Sequence, residues 1–261
     1  MKRNQVENDP NAMTFGGHLE VLRRMLIRII VVVITIAIVF FCFKDWTFRM
    51  LMAPSQWNFV TYRYIEKFLH WLGSSFTFNE YHVNLIATEL SSQFMTHVTA
   101  AMYLGLLTAS PYILWELFRF VTPALYEKER KYSVRVAVIV YVLFVVGVLM
   151  SYFILFPISF RFLGTYSVSD VVESNITLHS YISTFTTLTL IMGLVFQLPV
   201  IAYFLGKLGV VTASFLRKYR KHALVAIMVL AAIITPPDLM TLILVTIPLY
   251  LLYEVSIWVV K

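Results

Sequence analysis

Six long apolar stretches constrain the fold of this chain more than any other feature of its sequence. A helix of about 20 apolar residues crosses a hydrocarbon core of about 30 Å, and a backbone in lipid must satisfy its own hydrogen bonds. The sequence therefore predicts an all-α, polytopic membrane protein with six transmembrane helices. The six stretches are Met25–Phe43, Phe94–Phe120, Val134–Phe156, Phe185–Leu205, Ala223–Thr235 and Leu239–Val260.

The composition agrees with this prediction and excludes several other classes of protein. Hydrophobic residues make up 59% of the 261 residues and charged residues only 13%, whereas a soluble domain carries about 25% charge. This balance excludes an ordinary soluble enzyme and a disordered chain. A disulfide-stapled secreted module is excluded because Cys42 is the only cysteine.

The distribution of basic residues predicts the orientation in the membrane. If the N-terminus faces the cytoplasm, 16 of the 21 lysines and arginines lie on the inner side and 5 on the outer side. Because positive charge is enriched on the cytoplasmic side, both termini are predicted to be cytoplasmic. The same bias accounts for the net charge of +7 without a nucleic-acid partner. Met25–Phe43 is too long for the apolar region of a signal peptide, so we expect it to stay in the membrane.

The last two spans are predicted to be short. Ala223–Thr235 has 13 residues, which cover about 20 Å as a helix. The turn at residues 236–238 (Pro-Pro-Asp) leaves little slack before Leu239–Val260, so the two spans should form a tight hairpin. A short helix requires thinning of the membrane, snorkelling of its flanking side chains or burial against neighbouring helices, and we expect thinning to favour recruitment of a partner helix.

The whole chain, residues 1–261, is predicted to form a single membrane domain. Its parts outside the spans are a cytoplasmic N-terminal segment (1–24), an outer loop (44–93) and two cytoplasmic loops (121–133 and 206–222).

The outer loop contains an amphipathic pattern. Apolar residues recur at helical spacing within Arg63–Leu72, and Gly73 provides a stop. We expect a helix that lies on the outer membrane surface or caps the spans. The apolar residues of this pattern are Ile65, Phe68, Leu69 and Leu72.

The sequence contains none of three common catalytic motifs. No serine-hydrolase, zinc-protease or phosphate-loop motif is present. The six histidines are scattered singly, which is typical of interfacial or loop residues rather than of metal ligands. We therefore predict that the protein is not an enzyme and binds no cofactor or metal.

Two acidic residues of the first cytoplasmic loop are candidates for binding. Glu127 and Glu129 lie there amid basic residues. One interpretation is salt bridging at helix ends, which stabilises a protein little. The other is a socket for a cationic peptide, because a carboxylate can hold a guanidinium group in a bidentate pair.

Polar residues within the spans are further candidates. Gln197 lies mid-span, and Pro199 is expected to kink its helix. The Gln197 amide should hydrogen-bond either another helix of this chain or a docked partner helix. Glu254, near the inner end of the last span, is expected to be a solvated carboxylate.

Five blocks of sequence, taken together, resemble the TatC subunit of the twin-arginine protein translocase. The likeness runs from His18 to about Glu254, and it depends on the order and spacing of blocks that are individually weak. The blocks are His18–Arg24 (HLEVLRR); Met52–Pro54; Ala87–Phe94 leading into Ser110-Pro111; Thr122–Arg130 (TPALYEKER); and Phe196–Pro199 with Thr235–Asp238 and Ile247–Tyr250.

This resemblance implies a function, partners and a location. TatC proteins are receptors for signal peptides with paired arginines, and they export folded proteins using the proton-motive force. The implied partners are such signal peptides, single-span subunits of the TatA/TatB type, further copies of the chain, and membrane lipid. The implied location is a bacterial inner membrane.

The resemblance also implies residues that bind the signal peptide. Glu129 matches the acidic residue of the family's first cytoplasmic loop, Phe120 the aromatic before Pro-Ala-Leu-Tyr, and Arg23 the first basic residue of the N-terminal block. Glu129 is expected to pair with the guanidinium groups. The predicted signal-peptide-binding residues are Glu20, Arg23, Phe120, Leu125, Glu127 and Glu129, and the predicted intramembrane polar residues are Gln197 and Pro199.

The sequence departs from the family pattern at two positions. The family often has two glutamates after His-Leu, but Val21 follows Glu20 here. Gln197 occupies a position where relatives often have glutamate, so a titrating carboxylate at this site plays no part in this protein.

The main alternative is an ion-coupled secondary transporter of a small solute. Such folds usually contain internal repeats, broken helices and ionisable groups at the membrane midplane. The sequence shows none of these convincingly, and its one firm midplane polar group is the neutral Gln197.

Overall fold

The computed structural model describes residues 15–75, 77–81, 83–121, 133–167, 169 and 175–260. Within these residues the chain forms eleven α-helices and one pair of two-residue strands. The helices are α1 (Phe15–Cys42), α2 (Lys44–Met52), α3 (Val60–Trp71), α4 (Ser92–Val121), α5 (Ser133–Met150), α6 (Phe156–Thr165), α7 (Leu178–Val195), α8 (Leu198–Lys207), α9 (Ala213–Lys218), α10 (Arg220–Ile234) and α11 (Leu239–Val259). The strands β1 (Leu85–Ile86) and β2 (Ile176–Thr177) pair in parallel.

The predicted all-α, polytopic membrane fold is confirmed, and all six apolar stretches are helical. By length and composition, five helical segments of the described chain can each cross a membrane. Only 17% to 39% of the apolar part of each segment is buried within the protein, so the remaining residues leave apolar surface available for contact with lipid. These segments are Leu19–Cys42, Ser92–Leu117, Val136–Thr165, Leu178–Lys207 and Leu239–Val259.

The hairpin of the last two spans is observed, but only its first helix is short. Helix α10 has 15 residues and covers about 22 Å, whereas α11 has 21 residues and covers about 31 Å. The prediction that both spans are short was therefore wrong for α11. The Asp238 carboxylate accepts a hydrogen bond from the Thr241 N–H at 2.6 Å, so α11 begins directly after the turn. It then continues through Pro248.

The third span is longer than predicted. It continues beyond Phe156 because a five-residue π-helical segment, Ser151–Leu155, joins α5 to α6. The Thr61 hydroxyl of α3 donates a hydrogen bond to the Phe153 carbonyl. Pro157, four residues later, has no N–H to offer that carbonyl. A tertiary contact thus helps the helix to continue past a proline.

The fourth span is interrupted, as expected from its proline. Helix α7 ends at Val195 and α8 begins at Leu198, with Pro199 in its first turn. The α-helix is therefore interrupted at residues 196–197, which include Gln197.

The outer loop forms a cap over one end of the spans. Helix α3 is observed close to its predicted position and ends at Trp71, two residues before Gly73, whose φ of 85° suits glycine. Thr61 and Tyr62 are its buried residues, and the Tyr62 hydroxyl donates to the Pro157 carbonyl at 2.7 Å. Phe68 is exposed, so the contact with the spans is more polar than the sequence pattern indicated.

The packed core lies beneath this cap. Phe156, Phe160, Tyr181 and Phe185 form edge-to-face pairs with ring centroids 4.9 to 5.1 Å apart, which is a favourable arrangement of aromatic rings. The Tyr181 hydroxyl donates to the Leu51 carbonyl at 2.8 Å, so the core also holds α2. We call this end of the bundle the aromatic end.

Candidate functional site

The opposite end of the bundle, which we call the basic end, brings the start of α1 beside the end of α4. The two helices are antiparallel: Arg28 meets Glu116 near this end, and the Phe41 ring stacks on His97 at 4.2 Å near the aromatic end. Midway, Gly105 of α4 approaches the α1 backbone so closely that a Cβ would lie 2.9 Å from the Val33 carbonyl oxygen. The close contact places the N-terminal sequence block next to the last turn of α4.

The N-terminal candidates lie on the exposed side of α1. Glu20 forms an ion pair with Arg24, one helical turn later, and both side chains are more than half exposed. Arg23 is also exposed. The only acidic residue of the block is thus already paired with an arginine of its own helix.

Glu116 is a buried carboxylate that the sequence pattern did not single out. Its side chain is 7% exposed, and its Oε2 accepts a hydrogen bond from Arg28 Nη2 at 3.0 Å. Its Oε1 accepts a hydrogen bond from the Tyr112 hydroxyl at 3.1 Å. The available signal was its position as the one acidic residue of the apolar segment Ser92–Leu117, because ionisable residues in membrane spans are costly and usually functional.

Phe120 lies one turn beyond Glu116 on α4 and is half-buried. The structure therefore brings Glu20, Arg23 and Phe120 to the same end of one helix pair. Leu125, Glu127 and Glu129 lie outside the described residues, and their roles stay predictions.

Gln197 makes an internal contact at the interruption between α7 and α8. Its Nε2 donates to the Val140 carbonyl of α5 at 3.1 Å and to the Gly193 carbonyl at 3.4 Å. Its Oε1 is buried, with no partner among the described residues. Of the two sequence interpretations, the observed hydrogen bonds match the contact within this chain.

Glu254 is paired rather than solvated. Its carboxylate accepts a hydrogen bond from Arg220 Nη2 at 2.7 Å and another from the Tyr250 hydroxyl at 3.1 Å. The expectation of a freely solvated carboxylate was wrong because α10 packs against α11 and brings Arg220 alongside. Glu116 and Glu254 thus share one arrangement, in which an arginine and a tyrosine are the partners of the carboxylate.

At the aromatic end, Arg161 lies among three aromatic rings. Its guanidinium carbon is 5.0 Å from the Tyr62 ring centroid, 4.4 Å from that of Phe78 and 4.6 Å from that of Tyr81. Arg161 Nη2 also donates to the Asn79 carbonyl at 2.8 Å. Burial raises the pKa of Tyr62 and of Tyr81, so both phenols stay neutral. The cluster fastens the loop at residues 77–81 to the spans and suits a structural role.

Metal binding finds no support in the side-chain arrangement. In the part of the chain that the structure describes, no group of three or more His, Cys, Asp or Glu side chains is placed to hold a metal ion.

Comparison with known proteins identifies the family. A family model described as Sec-independent protein translocase protein (TatC) matches residues 17–248. The Sec-independent protein translocase protein TatC of Blattabacterium sp. subsp. Periplaneta americana (strain BPLAN) is 36% identical over 258 residues, which are 97% of each chain. The protein of the same name from Carboxydothermus hydrogenoformans is 35% identical over 250 residues, covering 95% of this chain and 93% of that one.

A solved structure agrees with these matches. The crystal structure of the Twin Arginine Translocase Receptor TatC superposes with a TM-score of 0.72 at 31% identity, covering 94% of this chain and 98% of that chain. The resemblance carried by the sequence blocks is thereby confirmed. This chain is a multi-pass membrane protein and a component of a protein translocase, and it belongs to the TatC family of Sec-independent protein translocase proteins.

Proposed function

We propose that this protein is the signal-peptide receptor and a channel-forming component of a twin-arginine translocase in a bacterial inner membrane. Its basic end and both termini face the cytoplasm, and it exports folded proteins using the proton-motive force. The supporting observation is that the start of α1 and the end of α4 meet at the basic end, where Arg28 contacts Glu116 at 3.0 Å, in a chain similar to solved twin-arginine translocase receptors.

The chemistry of recognition follows from the predicted signal-peptide-binding residues, of which Glu20 and Phe120 lie at the basic end. A signal peptide presents two guanidinium groups and an apolar stretch. Glu129 pairs with the guanidinium groups, assisted by Glu20 or Glu127, while Phe120 and Leu125 pack against apolar side chains of the peptide. Lysine in the peptide should bind more weakly, because an ammonium group lacks the planar, bidentate geometry of guanidinium.

The test is binding of a fluorescent twin-arginine peptide to the purified protein, measured by anisotropy. We expect Glu129→Gln to weaken binding about tenfold or more, since a charge-assisted contact is lost. Glu89→Gln is the matched control, because Glu89 is exposed at the aromatic end. A twin-lysine peptide should bind poorly to every variant. Equal affinity of the Glu129→Gln variant and the unmodified protein would contradict the assignment.

We further propose that a single-span partner subunit lies against α10. This short helix carries a row of exposed apolar residues at four-residue spacing, Val225, Val229 and Ile233, and a short helix thins the bilayer around it. A partner helix would cover this row and relieve the mismatch.

Cross-linking tests the placement of the partner. Ile233→Cys should cross-link to a single-span partner in a Cys42→Ser background, whereas Ile38→Cys on α1, which is also exposed, should not. Cross-links formed only from α1 would place the partner elsewhere. Other copies of this chain would give a product of twice its mass.

The transporter alternative gains no support from the polar group at the membrane midplane. Gln197, the midplane polar group, is neutral and uses its amide nitrogen for bonds within the chain. In cells, export of a folded reporter with a twin-arginine signal should depend on this protein and stop when an uncoupler collapses the proton gradient.

A further inference from the structure

At the basic end, the guanidinium group of Arg28 binds the buried carboxylate of Glu116. Arg28 Nη2 donates to Glu116 Oε2 at 3.0 Å, and the Tyr112 hydroxyl holds the other carboxylate oxygen at 3.1 Å. The carboxylate is therefore fixed in position by a neutral neighbour, independently of Arg28. A carboxylate held in this way is a ready acceptor for any guanidinium group that reaches it.

The two partners of this ion pair differ in exposure. The Glu116 side chain is 7% exposed, whereas the Arg28 side chain is 50% exposed. Arg28 can thus leave the carboxylate, because its long side chain can extend to the headgroup region from a position three residues inside the predicted span Met25–Phe43, while Glu116 stays buried. If another cation took the place of Arg28, the buried carboxylate would stay paired, which matters because an unpaired buried charge is strongly destabilising.

The pair lies within reach of the proposed signal-peptide site. Glu116 is one helical turn, about 6 Å along the axis, before Phe120 on α4. Arg28 is one turn after Arg24, which is paired with Glu20. Two successive turns of α1 therefore carry arginines bound to carboxylates: Arg24 on the exposed side of α1, and Arg28 against α4.

We propose that Arg28 is an internal surrogate for a signal-peptide arginine, and that a twin-arginine peptide binds Glu116 by displacing it. This inference rests on the proposed receptor function and adds a second guanidinium-binding carboxylate to it. Relatives often have a glutamate where this chain has Val21. Glu116, on the neighbouring helix α4, would supply the missing acidic contact. Because one guanidinium group replaces another, the net charge of the occupied site does not change.

A competing Arg28 and a purely structural Arg28 predict opposite changes in peptide affinity when Arg28 is replaced. If Arg28 competes with the peptide, Arg28→Gln removes the competitor and tightens binding of a twin-arginine peptide. If Arg28 and Glu116 only hold α1 to α4, Arg28→Gln leaves binding unchanged or weakens it. Glu116→Gln removes the acceptor and should weaken binding.

The experiment is a double-mutant cycle with a fluorescent twin-arginine peptide and the full-length protein in detergent at pH 8. We expect Arg28→Gln to tighten binding about tenfold and Glu116→Gln to weaken it about tenfold. The double variant Arg28→Gln, Glu116→Gln should bind as weakly as Glu116→Gln alone. This variant carries no unpaired buried charge, so it reports on the site even if Arg28→Gln alone folds poorly.

Arg119→Gln is the matched control for loss of positive charge. Arg119 is exposed on the last turn of α4, so its removal tests general electrostatic attraction at the same end. We expect a change of less than about threefold, since exposed charges interact weakly in water. For the proposal to stand, Arg28→Gln must tighten peptide binding by more than Arg119→Gln changes it.

The outcomes separate this inference from the receptor function on which it rests. If Glu129→Gln abolishes binding while Arg28→Gln does not tighten it, the receptor function stands and the surrogate role of Arg28 is overturned. The surrogate role is also overturned if the double variant keeps the tighter binding of Arg28→Gln. If the unmodified protein binds no twin-arginine peptide, both proposals fall.

Discussion

Replacing Gly147 with alanine should push α5 and α7 apart. A Cβ at Gly147 would lie 2.6 Å from the Met192 carbonyl oxygen and 3.0 Å from the Met192 carbonyl carbon. Ordinary contacts begin near 3.4 Å, so the two helices must separate by about 0.8 Å, the difference between 3.4 and 2.6 Å. Backbone atoms cannot rotate away, and the helices themselves must move.

The cost follows from three contributions. Overpacking of this kind destabilises a protein by about 1–3 kcal/mol. The hydrogen bond from Gln197 to the Val140 carbonyl, 3.1 Å long, crosses the same interface, and lengthening it by about 0.8 Å removes about 1 kcal/mol more. Alanine gains about 1 kcal/mol over glycine in helix propensity. The net expected loss for Gly147→Ala is therefore about 1–3 kcal/mol.

Thermal unfolding of the purified protein measures this loss. At about 3 °C per kcal/mol for a chain of this size, Gly147→Ala should lower the Tm by about 3–9 °C. Gly16→Ala is the control, because a Cβ there meets nothing within 4 Å. Gly193→Ala should give a smaller loss, since its Cβ would meet the Phe144 ring, a side chain that can shift. Equal Tm values for Gly147→Ala and Gly16→Ala would refute the close approach of α5 to the α7 backbone.

Three further predictions concern individual contacts. Arg161→Met removes three cation–ring contacts and one charge-assisted hydrogen bond. Amide hydrogen exchange at residues 77–81 should therefore accelerate, reflecting a loss of about 3 kcal/mol. Unchanged exchange would show that Arg161 does not hold this loop in place. Asp238→Ala removes the N-cap of α11 and should lower the free energy of unfolding by about 1 kcal/mol, whereas Asp238→Asn should keep most of it. Arg220→Gln breaks the half-exposed pair with Glu254 and should lower the free energy of unfolding by less than about 1 kcal/mol. High salt should erase this difference between variant and unmodified protein. A large loss that does not depend on salt would be inconsistent with a half-exposed pair.

The membrane-spanning fold is predictable from the sequence because the requirement behind it is local. A stretch in lipid must be apolar and must satisfy its own backbone, so the six apolar stretches predict six helices without knowledge of their neighbours. The same holds for the stop at Gly73 and the interruption at Pro199, where one residue type limits the backbone. The order of the short sequence blocks likewise indicated the family, which the comparisons confirmed.

The pairing of the helices, by contrast, is decided by tertiary structure. Arg28 and Glu116 are 88 residues apart, and no periodicity in the sequence links them. Glu116 is the one acidic residue of the apolar segment Ser92–Leu117, and only the antiparallel contact of α1 with α4 supplies Arg28 as its charged partner. Likewise, Thr61 reaches the Phe153 carbonyl from a different helix and helps the third span to extend beyond its predicted end. The sequence by itself determined which segments enter the membrane, since that depends on each segment's own transfer from water to lipid. Tertiary structure decided which buried polar groups meet, because a hydrogen bond or ion pair in a low-dielectric interior depends on the position of a second group elsewhere in the chain.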